Sequence, residues 1–169
     1  MRIGLLSDTH DNVENVRAAA KIFRQKGISR LLHCGDVCGP TVVDALQEFT
    51  VTFAQGNMDR LPPLELAVEM LQGSGRLARV HRLVLEGFGV ALLHGDDEAR
   101  LNELIASGAF AYVFHGHTHR KADRQIGSTR VVNPGALGGT RYEPRSIAIC
   151  DLAAGRVDFI RLPQGRTER

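Results

Sequence analysis

Short apolar runs that stop abruptly at polar residues recur along this chain. Ile3 to Leu6 stops at Ser7-Asp8-Thr9-His10, Leu31 to Cys34 stops at Gly35-Asp36, and Val51 to Ala54 leads to Gly56-Asn57. Each run is too short for an ordinary helix and reads as a buried strand. Between the first two, Val13, Val16, Ala19, Ala20 and Phe23 recur at helical spacing within Asn12 to Lys26, with Gly27 as the stop. A shorter helix is predicted from Thr41 to Phe49. Strand–loop–helix units of this kind signal a βαβ arrangement with a largely parallel sheet.

The pattern then changes. Arg79 to Leu85 and Phe88 to Leu93 are strand-like and joined by Glu86-Gly87, a hairpin signal; the second leads into His94-Gly95-Asp96. A helix is predicted from Glu98 to Ser107, followed by the strand Ala111 to Phe114, which ends at His115-Gly116-His117-Thr118-His119. Beyond lie short strands and turns: Arg130 to Val132, Asn133-Pro134-Gly135, Ser146 to Cys150 and Val157 to Ile160. No repeat or linker interrupts the pattern. Residues 1–163 are therefore expected to form a single domain, with 164–169 a flexible tail.

Composition narrows the class. A chain of 169 residues can bury one sizeable core, and 43% hydrophobic with 24% charged residues is ordinary for a soluble globular protein. Trp is absent and aromatics are few, so Leu, Val, Ile and Ala must build the core. A formal charge of +2 without a Lys/Arg block calls for neither a nucleic-acid nor a membrane partner. Cys34, Cys38 and Cys150 lack paired spacing and read as buried or bystander thiols. Met1-Arg2 leads straight into a strand-length run, and no run approaches a membrane span, so a cytoplasmic location is expected.

The chemistry sits at the strand ends. Asp8, His10, Asp36, Asn57, His94, His117 and His119 all follow strand-like runs, and in open α/β folds such ends gather along one edge of the sheet. Taken singly, an Asp-x-His, a Gly-Asn or a His-x-His is most simply a turn, a helix cap or a pair of exposed imidazoles. Seven together overturn that explanation. Imidazole, carboxylate and one amide oxygen suit borderline-to-hard divalent ions such as Mn²⁺, Zn²⁺, Fe²⁺ or Ni²⁺, and the lack of cysteine disfavours a closed structural zinc site. Seven ligands are too many for one catalytic ion and suit two ions that share a carboxylate.

The motifs Asp8-Thr9-His10, Gly35-Asp36, Gly56-Asn57, His94 and Gly116-His117-Thr118-His119, with the Asn133-Pro134-Gly135 turn, resemble the calcineurin-like metallophosphoesterases. Within that family the chain is similar to the small single-domain bacterial and archaeal phosphodiesterases. The resemblance implies an α/β fold, a four-layer α/β/β/α sandwich of two mixed sheets flanked by helices. It implies two divalent ions, Mn first with Zn, Fe or Ni as alternatives. Asp8, His10, Asp36 and His119 would hold one, and Asp36, Asn57, His94 and His117 the other, with Asp36 bridging. Asp36, Asn57 and His94 are thereby also the candidate catalytic residues. The implied activity is hydrolysis of a small phosphate ester, most simply a diester, by a metal-bound hydroxide.

One departure matters. Many relatives carry a histidine after the asparagine, implied to protonate the leaving group, whereas this chain has Met58, which has no proton to give. The competing reading is a metal-binding scaffold of the same fold, like the retromer subunit, with little or no turnover. Every ligand position is filled here, which favours catalysis.

Other residues carry milder expectations. His33 and His81 read as packed strand histidines, and His115 as facing away from His117 or supporting it. Asp59, Asp96 and Asp97 are candidates to orient imidazoles, and Thr9 and Asn12 to cap the first helix. Arg120, Arg141 and Arg145 could meet phosphate, though solvated roles are simpler. The stretch from Asp59 to Gly75 is expected to wall the pocket, and an apolar edge on the last strands leaves room for a homodimer.

Overall fold

The computed structural model describes residues 1–163, so the expected tail at 164–169 lies outside the described residues. Strand β1 (Arg2–Leu6) is followed by α1 (Val13–Gln25), β2 (Arg30–His33), α2 (Pro40–Ala45), β3 (Thr50–Ala54), α3 (Pro63–Gln72) and a short β4 (Leu77–Ala78). Then come β5 (Val80–Leu85), β6 (Phe88–Leu93), α4 (Glu98–Ala106), β7 (Tyr112–Phe114), β8 (Ala122–Ile126), β9 (Thr129–Asn133), β10 (Ser146–Asp151) and β11 (Arg156–Arg161).

The strands form two sheets, ordered β11-β10-β1-β2-β3-β4 and β5-β6-β7-β9-β8. Both are mixed. In the first, β1 to β4 run parallel and the β10–β11 hairpin joins antiparallel beside β1. In the second, β6, β7 and β9 run parallel between antiparallel edges β5 and β8.

Strand alternation sorts the apolar residues into layers, because neighbours in a strand face opposite sides. From the first sheet, Ile3, Leu5, Leu32, Ala148 and Cys150 meet Val90, Leu92, Tyr112, Phe114 and Val132 of the second in one core between the sheets. The opposite faces supply Leu6, Leu31, Ile147 and Ile149 to a core with Val16, Ala20 and Phe23 of α1 and the buried residues of α2 and α3. On the far side, Ala91, Leu93, Val113 and Val131 pack on Leu104 of α4. Three cores separate four layers, and the α/β/β/α sandwich follows. Cys34 and Cys150 lie in the central core as free thiols.

Several local signals hold. The Asn12 side chain accepts a hydrogen bond from the Asn15 N–H at 3.0 Å and caps α1. The Glu86-Gly87 turn takes left-handed φ values of 49° and 84° at its two central residues, as a tight twisted hairpin requires. Others needed correction. Helix α2 stops at Ala45, four residues before the expected Phe49. The stretch expected only to wall a pocket contains α3, hidden because just Leu64 and Val68 are buried while Leu66, Met70 and Leu71 face outward. Strand β8 escaped notice because it is a polar, exposed edge.

The ends of β1 and β2 are stitched by a buried polar chain. His33 stacks on Phe53 with ring centroids 5.6 Å apart. Its Nδ1 accepts from the Gly35 N–H at 3.2 Å, so Nε2–H is the donor to Thr9 Oγ1 at 3.1 Å. Thr9 Oγ1 in turn lies 3.4 Å from the Asp36 and Val37 carbonyls, so Thr9 braces the site loops and does not cap α1 with its side chain.

Burial pushes the His33 pKa down from 6.5 to about 3, against a partial pull upward from Asp8. The unfolded chain binds this proton near 6.5 and the folded chain does not until about 3. The stabilisation is complete above 6.5 and is lost as pH falls toward 3, up to roughly 5 kcal/mol. In urea unfolding of metal-free protein, His33→Gln should therefore flatten the decline in stability between about pH 6.5 and pH 4. Equal pH slopes in the two proteins would contradict this account of His33.

Candidate metal centre

At the ends of β1, β2 and β7 the backbone enters the left-handed region at non-glycine residues: Asp8 (φ 51°), His10 (45°), Asp36 (54°), His117 (67°) and His119 (56°). Each such residue costs roughly 1–3 kcal/mol, so the surrounding structure must hold it. The β1 and β2 loops hold each other through Asp8 N–H to Gly35 O (2.9 Å), His10 N–H to Asp36 O (3.0 Å) and Asp11 N–H to Val37 O (3.3 Å). A third segment closes over them with Gly138 N–H to Asp8 O at 2.7 Å. The strain falls on five of the seven predicted ligands, the distribution expected of a functional site.

Those loops converge. Asp36 Oδ2 lies 3.6 Å from His10 Nε2 and 3.4 Å from His94 Nε2. Asp8 Oδ1 is 3.2 Å from His119 Nε2 and 4.0 Å from His94 Nε2. His10 Nε2 and His119 Nε2 are 3.3 Å apart, and His117 Nδ1 is 3.3 Å from His94 Nε2. Six of the seven predicted residues therefore meet. Asn57, in the loop after β3, is exposed, and its side chain makes no hydrogen bond to the other six. It adjoins Met58, whose N–H donates to Asp36 Oδ1 at 2.9 Å.

Residues behind the donors aim them. Ser7 Oγ donates to Asp8 Oδ2 at 2.5 Å, and the His117 N–H donates to the same oxygen at 3.1 Å. His94 Nδ1–H donates to Cys34 O and His119 Nδ1–H to Thr140 O, both at 2.8 Å, which leaves each Nε2 free to face the cluster. His10 Nδ1 sits 3.6 Å from Cys38 Sγ. Gly116 has no room for a side chain: a Cβ there would lie 1.9 Å from Ser7 Oγ and 2.7 Å from Asp8 Oδ2. Ser7 went unnoticed in the sequence; its one signal is a small polar residue between a buried strand and Asp8.

The three extra carboxylates do other work than orienting imidazoles. Asp59 accepts from the Cys38 and Gly56 N–H groups, each at 2.7 Å, and ties the β2 and β3 loops together. Asp96 pairs with Arg79 at 2.8 Å, and Asp97 caps α4 through the Arg100 N–H at 3.0 Å. Arg145 holds the Gly138 and Gly139 carbonyls, so its role is structural. Arg120 lies over the Tyr142 ring, 5.0 Å from its centroid. His81 Nε2–H donates to Phe53 O at 2.9 Å, a polar tie between the two sheets.

The charges are mutually supporting. Burial pushes the Asp36 carboxyl up, but His94, the Met58 N–H and His10 together hold it below its ordinary pKa. Burial pushes His94 down, and Asp36 and Asp8 outweigh that to raise it. His119 is raised chiefly by Asp8. Burial pushes His115 down to about 4, so this ring is neutral near pH 7.

This donor set fits divalent cations. Asp8 Oδ1 is buried and accepts no hydrogen bond, an oxygen that a cation would satisfy. Two groups of ligand atoms, Asp8/His10/His119 and Asp8/Asp36/His94, each lie within 4.8 Å of one another. Imidazole nitrogen with carboxylate oxygen suits borderline ions.

Residues 1–155 match the family model for the calcineurin-like phosphoesterase superfamily domain. The chain is 26% identical over 155 residues to phosphodiesterase MJ0936 of Methanocaldococcus jannaschii, covering 89% of this chain and 93% of that protein. A solved archaeal phosphodiesterase superposes with a TM-score of 0.89 at 26% identity, over 96% of this chain and 100% of its own. Wild-type Vps29 of Entamoeba histolytica, solved in complex with Zn²⁺, superposes with a TM-score of 0.63 at 18% identity, over 96% of this chain and 98% of its own. At that identity the likeness to Vps29 is one of fold.

Ser7 supports Asp8 without facing the cluster itself, so Ser7→Ala should weaken Mn²⁺ binding about tenfold or more while leaving the circular dichroism spectrum unchanged. Calorimetric titration of metal-free protein reads this directly. Unaltered affinity would show that the Ser7 hydroxyl does not hold Asp8 in its binding orientation.

Proposed function

The chain belongs to the calcineurin-like phosphoesterase superfamily, and on that premise we propose that it is a phosphodiesterase working through two divalent metal ions. In this reading Asp8, His10 and His119 serve one ion, Asn57, His94 and His117 the other, and Asp36 both. Residues 1–163 act as one domain. The observation that carries the reading is the position of Asp36 Oδ2, 3.6 Å from His10 Nε2 and 3.4 Å from His94 Nε2, between the two sets of imidazoles. When bound, the ions would supply a strongly acidified water and neutralise charge on the phosphate oxygens. Mn²⁺ is the first choice, with Zn²⁺, Fe²⁺ or Ni²⁺ compatible with the same donors.

The protein groups keep the donors aimed and the anions buried. Asp8 and Asp36 contribute the negative charge; the backbone carbonyls of Cys34 and Thr140 keep His94 and His119 in the tautomer that exposes Nε2. Met58 is 54% exposed at the position where many members of the wider family, though commonly not the small phosphodiesterases, carry a proton-donating histidine, so the leaving oxygen takes its proton from water. A small phosphate diester is the substrate class. Among the described residues no helix is long and apolar enough to cross a membrane. The metal-binding scaffold reading is less favoured, because every expected ligand position is filled.

Metal-loaded protein should contain two divalent ions per chain and lose activity to a chelator, with recovery on adding Mn²⁺. Trace metal after loading would end the two-ion proposal, and two ions without turnover of an aryl phosphodiester would favour the scaffold. Asp36→Ala should cost more kcat than Asn57→Ala, since it removes charge from between two cations while the amide removes none. Near-wild-type turnover in Asp36→Ala would refute its shared role. Met58→His should raise kcat/KM most for alkyl esters and least for nitrophenyl esters, recovering part of the ~10²–10⁴-fold that a positioned acid contributes. The same dependence on leaving-group pKa in both proteins would show that position 58 does not face the leaving oxygen.

A further inference from the structure

A groove leaves the metal centre on the β7–β8 side. It consists of a cavity of about 230 Å³, whose wall includes His117 and Asn102, and an adjoining one of about 550 Å³, whose wall includes Lys121. His115, Thr118 and Arg124 line both, so the two adjoin. One end is a proposed metal ligand. The other end is basic: the Lys121 N–H donates to Glu143 Oε2 at 2.9 Å, but neither the Lys121 nor the Arg124 side chain forms an ion pair among the described residues. The neighbouring acid, Asp123, is engaged by Arg130 through two contacts of 2.8 Å.

The middle of the groove has a different character. His115 is 4% exposed, and its Nδ1–H donates to Gly116 O at 3.1 Å. A carbonyl can only accept, so Nδ1 carries a proton, and Nε2 has no partner among the described residues. A buried ring nitrogen without a partner is an unmet hydrogen bond, which a ligand hydroxyl, able both to donate and to accept, would satisfy. Asn102 and Glu98 on the same wall can also accept from a hydroxyl. Groups able to hold a hydroxyl therefore follow the metal centre, and cations follow them.

We propose that this groove receives the part of the substrate beyond the scissile phosphate: a hydroxyl-bearing unit against His115, then a second phosphate at Lys121 and Arg124. The substrate class is a phosphodiester of a hydroxyl-bearing unit that carries a further phosphate, for which a nucleoside with a second phosphate on its sugar serves as the probe. The inference rests on the phosphodiesterase reading above and deepens it.

The test uses the metal-loaded full chain and two p-nitrophenyl esters of one nucleoside 5′-phosphate, with and without a 3′-phosphate. In wild type the 3′-phosphate should lower KM about tenfold at low salt, and added salt should shrink the advantage. The ratio should collapse toward one in Lys121→Ala/Arg124→Ala. Equal KM for both esters in wild type, or a preference that survives the double substitution, overturns the groove. Calorimetric binding of a nucleoside 3′,5′-bisphosphate against the 5′-monophosphate separates the two proposals. Tighter bisphosphate binding that depends on Lys121 and Arg124, with neither ester hydrolysed, would uphold the groove and sink the phosphodiesterase reading.

Discussion

Two carboxylates, Asp8 at 0% exposure and Asp36 at 3%, are buried within a few ångströms of each other, and the rest of the site is organised around making that tolerable. Two anions in a low-dielectric interior repel, and burial penalises each. The compensation is local and dense. Ser7 and the His117 N–H bond Asp8, the Met58 N–H bonds Asp36, and four imidazoles surround the pair. One oxygen, Asp8 Oδ1, remains without a hydrogen bond, and that residual demand is for positive charge.

The architecture follows from the same need. A site made of loop residues at left-handed φ needs rigid strands behind every loop, and the two sheets supply β1, β2, β6 and β7 to one edge. Their registers are set by cores on both faces, since slipping a strand by one residue would exchange its two sets of side chains. Close approach between loops then demands glycine where a side chain has no space, as at Gly116 against Ser7 and Asp8. The cost of strain and charge at the edge is carried by apolar burial behind it.

Much of this was legible before any coordinates. Short continuous apolar runs located β1, β2, β3, β6 and β7 because those strands are buried on both faces. The polar residues that follow them named six side chains that meet. What stayed hidden had weak pattern signals for physical reasons: β8 is an exposed polar edge, and α3 buries only Leu64 and Val68. The supporting contacts were out of reach for another reason. The His94 and His119 tautomers depend on the carbonyls of Cys34 and Thr140, and a backbone carbonyl is the same at every position in a sequence. Asp59, Asp96 and Asp97 resembled ligand supports in one dimension, whereas in three each serves a loop, an arginine or a helix cap.

The central claim is that Asp36 lies between two ions, not beside one. Loading metal-free protein with Mn²⁺ in steps and recording the electron paramagnetic resonance spectrum tests it directly. Two ions sharing Asp36 predict a spin-coupled spectrum that grows in as the second equivalent binds, and its replacement by uncoupled signal in Asp36→Ala. Saturation at one equivalent with only the six-line signal of isolated Mn²⁺ would contradict the account.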